Sequence, residues 1–513
     1  MTSRPDATDR AFFGHPRGLA TLFFTESWER FSYYGMKAIL LFYMYGRVSQ
    51  GGLGIDSGTA KSLIAVYGAS IYMAAIAGGW VSDRILGARR STVLGGVLIM
   101  LGHISLAVPA GAAALYASMA FIVAGTGLLK PNVTSSVGDL YDRADARRDS
   151  GFSIYYMGIS VGAVVAPFAV GTLGQKVNYH LGFGLAAVGM AVGLVVYVRG
   201  QRHLSDAGSR PKNPLRLAGV RRGRLAAVIA LAAVLVVAVV VAAVTGRLTA
   251  TLVVDLVSLL SLVLPIAYFA VMLRSRRTTP VERSRVLAYI PLFLTAVCFW
   301  VIQEQGASVL AEYADQSTDL GAFGFAMPSS WFQSVGSFVL IVLTPLFAAM
   351  WLRLARRRSG GPSTAVKFGI GVIVAGLSYL LMVVPSMQDG KSNPGWLLAS
   401  LALVTVGEMC LSPIGQSATT RLAPAAFATQ TMGLWLASDA AAQGISAQVV
   451  GLYDRASAGR YFGVIGAVAV ALGVVVVLVS PFIRRLMRGA EPGDVENAAD
   501  HPVAVAGTRG ADA

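Results

Sequence analysis

Runs of about 20 apolar residues, the length that crosses a bilayer as one helix, recur fourteen times along the chain. They are centred near residues 32, 72, 100, 123, 161, 190, 235, 262, 297, 341, 376, 405, 439 and 472. An even number of spans returns both termini to one side. The runs near 235 and 262 are almost purely aliphatic, with Asp255 their one charge, and an aliphatic hairpin without a polar stripe predicts a peripheral, lipid-facing pair. The first run instead carries ESWERFSYYGMK, which places Glu26, Glu29, Arg30, Tyr33, Tyr34 and Lys37 inside apolar sequence. On a 3.6-residue period Glu26, Arg30, Tyr33 and Lys37 share a narrow sector, with Glu29 beside it. Each charge near a helix centre costs roughly 2.5 to 3.5 kcal/mol on insertion scales, so the stripe must face protein or a wet cavity.

Setting the aliphatic hairpin aside leaves six spans, a basic connecting segment and six more. The expected fold is an all-α integral membrane protein of the major facilitator architecture. Two six-helix bundles plus a two-helix insertion make fourteen transmembrane helices, with the substrate site near the midplane between the halves. The expected divisions are an N-terminus over 1–17, a first bundle over 18–200, a basic linker with the hairpin over 201–285, a second bundle over 286–488 and a disordered tail over 489–513.

Composition agrees with this pattern. Of 513 residues, 55% are hydrophobic and 13% charged, and the mean hydropathy is +0.63, far more apolar and less charged than the globular average. The net charge of +16 raises nucleic acid as a partner, but the arginines crowd alternate loops (Arg84, Arg89 and Arg90; Arg199 through Arg224; Arg274 to Arg285; Arg353 to Arg358). Such alternation sets membrane orientation, so no nucleic acid is expected. It predicts a multi-pass protein of the cell (inner) membrane with both termini cytoplasmic. Cys298 and Cys410 lie inside spans without ligand spacing, which predicts apolar packing rather than a disulfide or metal site. The polar first 17 residues lead into a charged span rather than a short cleavable core, so the first helix is expected to stay.

Further polar groups punctuate the spans. GGWVSDRILGARR, residues 78–90, clusters Asp83 and Arg84 with Arg89 and Arg90 at a membrane edge and resembles the loop motif of the superfamily, where it helps hold the cytoplasmic side together. GTGLLKPN sets Lys130 before Pro131, about two turns inside the boundary, where snorkelling is the competing account. GFSIYYMGIS joins Tyr155, Tyr156 and Ser160 with Gly158 and Gly162 at close-packing spacing. In AVCFWVIQEQG, Trp300 and Glu304 share a face, although an interfacial glutamate is the alternative. VGEMCLSPIGQS embeds Glu408, and MGLWLASDAAAQG brings Trp435 and Asp439.

These segments resemble the proton-dependent oligopeptide transporters. The ExxERFxYYG pattern (Glu26, Glu29, Arg30, Phe31, Tyr33, Tyr34, Gly35), GTGLLKPN, FSIYYMGI, FWxxxEQ at Phe299 to Gln305 and GExxLSPxG from Gly407 carry the likeness, which spans roughly residues 15 to 488. The resemblance implies symport of di- and tripeptides with protons by alternating access. Five His, no nucleotide-binding loop and no metal-ligand cluster leave little chemistry for an enzyme, so no enzymatic activity and no cofactor are expected, and a monomer is expected. The resemblance also implies roles. Arg30 and Lys130 receive the peptide carboxylate and Glu408 the amino group, with Tyr33, Tyr34, Tyr72, Tyr156, Ser160, Trp300 and Trp435 lining the pockets. Glu26, Glu29, Arg30 and Glu304 belong to proton coupling. Lys37 pairs with Glu304 at an outer gate, Lys130 with Glu408 at an inner gate, and Asp83 and Arg84 take part in gating. The chain departs from the family at Ser160 and Gly336, where asparagine is usual, and at Leu436 and Asp439. Those departures keep open a member retuned to a peptide-like drug, nitrate or a modified amino acid. A nontransporting membrane receptor is the reading from another class.

Overall fold

The computed structural model describes residues 10–141, 145, 147–204, 206–211, 214, 249–321, 324–355, 361–487 and 489. Among them are thirteen long helices: α1 (Arg17–Tyr45), α2 (Ser57–Val81), α3 (Ala88–Ala107), α4 (Gly111–Gly138), α5 (Arg148–Ala166), α6 (Tyr179–Gly200), α7 (Ala250–Arg274), α8 (Pro280–Glu304), α9 (Gln333–Ala355), α10 (Thr364–Ser386), α11 (Pro394–Leu422), α12 (Ala428–Val449) and α13 (Ala458–Met487). The span expected near 235, Arg143, Arg356 to Arg358, most of the basic linker and the tail past 489 lie outside the described residues.

Eleven of these helical stretches are long and apolar enough to cross a membrane. The two helices outside that set, α1 and α12, carry the charged stripe and a series of Gln, Ser and Asp residues that lower their apolarity. The ends are specified locally. Asp56, Asn178, Ser363 and Asn393 each accept a backbone N–H in the first turn of the helix they open, and Thr279 with Glu282 forms a reciprocal capping box on α8.

Helices α1 to α6 form one bundle and α8 to α13 the other, and α2 against α12 and α5 against α9 join them. Glycines set the tight crossings. A methyl added to Gly95 or Gly125 would lie 2.6 Å from the other's carbonyl oxygen, so α3 and α4 touch backbone to backbone. Gly371 and Gly407 do the same for α10 and α11. Gly158 and Gly162 bring α5 against Ser27 of α1. The face holding the start of α1 and the end of α13 is called near; the opposite face, far.

Helix α7 is peripheral, yet it is not a featureless lipid-facing rod. Its outer side is exposed, while Val254, Ser258, Ser261, Pro265, Phe269 and Met272 form one buried stripe at helical spacing. Val254 packs with Ala65 and Val66 of α2 and Ala447 of α12, so α7 lies over the seam between the bundles. Asp255 accepts from Gln448 of α12 at 3.0 Å. The expectation of no polar contact fails at Ser258, which accepts from Gln448 of α12 at 3.4 Å, while Ser261 donates to the Ser258 carbonyl within α7.

Candidate transport site

Between the bundles lies a cavity of about 830 Å³. Its lining runs from Phe332 and Gln333 at the far end to Ser153 and Gln416 toward the near face. Of the residues singled out by sequence, Arg30, Tyr33, Tyr34, Lys37, Tyr72, Lys130, Tyr156, Ser160, Glu304 and Glu408 all line it.

Helix α1 supplies the first group because its 3.6-residue period stacks the polar residues on one side. Arg30 Nε donates to Glu26 Oε1 at 2.9 Å and stands 2.7 Å from Glu29 Oε2. Glu26 and Glu29 are buried behind the lining, and one arginine serves both. Two turns on, Lys37 Nζ donates to Glu304 Oε2 of α8 at 3.1 Å, tying the bundles together. The Lys130 ammonium sits 4.8 Å from the centre of the Tyr72 ring, a cation–π contact in place of an ion pair. Glu408 accepts from Gln303 Nε2 at 3.2 Å. Lys130 and Glu408 thus face one cavity from opposite bundles without pairing here.

The tryptophans differ from expectation. Trp300 and Trp435 meet edge to face, with centroids 6.4 Å apart, behind the lining rather than in it. Trp435 is held there by Gly415, whose missing side chain leaves room for the indole, and by Phe368. Asp83 and Arg84 lie exposed in the wide turn after α2 at the near face, with no ion pair among the described residues.

A second cross-bundle pair escapes sequence reasoning. Lys61 of α2 donates to Glu312 Oε2 at 2.6 Å, with the lysine 1% and the glutamate 6% exposed. Ser57 and Gln316 donate to the other glutamate oxygen, and Lys61 also reaches the Tyr453 carbonyl and ring. Around this pair Tyr45 donates to Asp315 at 2.6 Å, Ser330 N donates to Gln175, and Trp331 donates to Thr172. All these links lie at the far end. Lys61 stands one turn past the start of α2, where a lysine reads as an interfacial anchor, so its sequence gave no signal; Glu312 sits in a short helix, Val309–Ser317, that looks like a loop.

Opposed charges in an apolar double bundle, with one end of the cavity bridged by cross-bundle ion pairs, define a membrane transporter of the major facilitator type. The chain belongs to the POT family, whose model matches residues 89–468, and it is a multi-pass membrane protein. It is 51% identical over 483 residues to the "Uncharacterized transporter YclF" of Bacillus subtilis (strain 168), covering 94% of this chain and 96% of that one. It is 40% identical over 490 residues to a "Di-/tripeptide transporter" of Lactococcus lactis subsp. cremoris, covering 94% and 98%. The crystal structure of "peptide transporter POT in complex with sulfate" superposes with a TM-score of 0.90 at 52% identity, over 93% of this chain and 97% of that one.

Proposed function

We propose that this protein imports di- and tripeptides together with protons by alternating access. The observation that carries the reading is the division of charge across the cavity: Arg30 and Lys130 on the first bundle, Glu408 on the second. A short peptide is a zwitterion of matching polarity, and two charge-assisted contacts in a site of reduced dielectric reward both ends at once. Tyr33, Tyr34, Tyr72, Tyr156 and Ser160 line the space between.

The near face carries Arg84, Arg89, Arg90, Arg274, Arg276, Arg277, Arg283, Arg285 and Arg484, which supports placing it, with both termini, in the cytoplasm. The far-end bonds then close the outer side, and the conformation is inward-facing. Protonation of Glu304 cancels its attraction to Lys37 and frees the outer gate. Approach of Lys130 to Glu408 closes the inner one.

The experiment is competition for labelled dialanine uptake by dialanine derivatives. A charge-assisted hydrogen bond contributes about 1.5 to 3 kcal/mol, so N-acetyl dialanine and dialanine amide should each compete on the order of 10- to 100-fold more weakly. Equal competition by blocked and free peptides would contradict the reading. Ser160 and Gly336 favour a second one, a retuned substrate. The Ser160 hydroxyl turns back to the Tyr156 carbonyl at 3.4 Å, and Gly336 offers no side chain, so this wall presents few polar groups to a peptide backbone.

A further inference from the structure

Gly336, at the far end of α9, differs in kind from the glycines that close the helix crossings. A methyl built on Gly371 or Gly407 would meet a carbonyl oxygen of the neighbouring helix at 2.8 or 2.6 Å. One built on Gly336 would meet, beyond its own helical turn, a single atom within 4 Å: Thr405 Oγ1 of α11 at 3.5 Å, an ordinary contact. Helix packing therefore does not call for a glycine here. The room left by the missing side chain belongs to the cavity, which Gly336 and Thr405 both line.

The walls of that room are apolar. Leu340 stands one turn past Gly336 on the same face of α9. On α11, Leu401, Val404, Thr405 and Glu408 recur at i, i+3, i+4 and i+7, the spacing of one helix face, and all four line the cavity with Leu340. The Thr405 hydroxyl donates to the Leu401 carbonyl at 3.0 Å, so it is satisfied without a ligand. Leu340, Leu401 and Val404 thus bound the space, and Glu408 stands three residues past Thr405, about 4.5 Å along the helix axis.

Glu408 is the proposed seat of the peptide amino group. The first side chain of a peptide leaves the carbon that bears that group, so it starts within about one helical turn of the space at Gly336. The carboxylate end runs the other way, toward Arg30 and Lys130 on the first bundle. We infer, on that peptide reading, that the space at Gly336 is a pocket for the side chain of the peptide's first residue and selects large apolar side chains such as phenylalanine or leucine. Such a side chain leaves water for contact with Leu340, Leu401 and Val404. An acidic one is repelled by the Glu408 carboxylate.

The test is competition for labelled dialanine uptake by Phe-Ala, Leu-Ala, Ala-Phe and dialanine, in the wild type and in Gly336→Ala, Gly336→Asn and Gly336→Leu. Each peptide is read as a ratio to dialanine within one protein, so a general loss of transport cancels. Phe-Ala and Leu-Ala should compete with the wild type about tenfold more strongly than dialanine. Gly336→Leu fills the space and should cut that preference to within about threefold. Gly336→Asn should cut it in part, and Gly336→Ala, which adds one methyl, should keep it. The Ala-Phe ratio should be the same in all four proteins. A wild type without the preference, a preference that survives Gly336→Leu, an equal loss in Gly336→Ala, or an equal loss for Ala-Phe would each overturn the assignment. Variants too slow to transport are read by calorimetric binding of the same peptides to purified protein, with the same ratios expected. A wild type that neither takes up nor binds any of these peptides would instead defeat the peptide reading, and the pocket with it.

Discussion

Lys61 and Glu312 meet at 2.6 Å across the two bundles, both buried. Leaving one partner of a buried pair alone typically costs about 3 to 5 kcal/mol, whereas replacing both costs far less. Lys61→Met and Glu312→Gln singly should therefore shift the protein toward states open at the far face, and the double variant should shift it less than the worse single. Spin labels at the far ends of α2 and α12 would read the change as a distance increase. Unaltered distances in both single variants would remove the pair from the outer gate.

The His15 ring pins the N-terminal segment to the near end of the first bundle. Its Nδ1 is 2.8 Å from the Tyr141 hydroxyl and its Nε2 3.3 Å from Ser150 Oγ. Burial foremost, then the Arg147 charge, lowers its pKa below the usual 6.5, against a smaller opposing pull from Asp145. The docked segment thus favours the neutral ring. Its stabilisation is complete above about pH 6.5 and is lost as pH falls through the lowered value. Phe12 and His15 exchange backbone hydrogen bonds with each other, so their amides should lose hydrogen-exchange protection at pH 5 relative to pH 7.5, after correction for intrinsic rates. Protection that persists would mean the ring stays docked when charged.

Much of this site was legible in the sequence because charge inside an apolar run has few bland explanations. Glu26, Arg30, Lys37, Lys130, Glu304 and Glu408 stand out on that ground, and the structure gathers them around one cavity. Residues whose meaning depends on rotation within the bundle were not legible. Trp300 shares a face with Glu304 by spacing, yet its ring turns away to Trp435; a helix periodicity says which residues are neighbours, not which side meets a void. The inner stripe of α7 was hidden similarly, since serines in an aliphatic helix carry no strong signal until a partner helix is known. Lys61 needed Glu312, which lies 251 residues away, to acquire a role.

Ser160 lines the cavity beside Tyr156 and Met157, with its hydroxyl satisfied within its own helix. Ser160→Asn extends an amide that can both donate and accept into this wall. Dialanine should then bind more tightly, by roughly 2- to 10-fold for one added hydrogen bond, while the response to proton-motive force stays the same. Competition curves measure the gain. Unchanged or weaker competition would indicate that this wall does not meet the peptide backbone.

The central claim is that a proton gradient drives peptide through the cavity by way of the Lys37–Glu304 contact, 3.1 Å in this conformation. Its most direct test is uptake of labelled dialanine and trialanine by proteoliposomes under an inward proton gradient and potential, with Glu304→Gln alongside. The account predicts concentrative uptake by the wild type, abolished by an uncoupler and missing from Glu304→Gln. Folded wild-type protein that equilibrates these peptides without concentrating them, or a Glu304→Gln variant that concentrates them equally well, would contradict it.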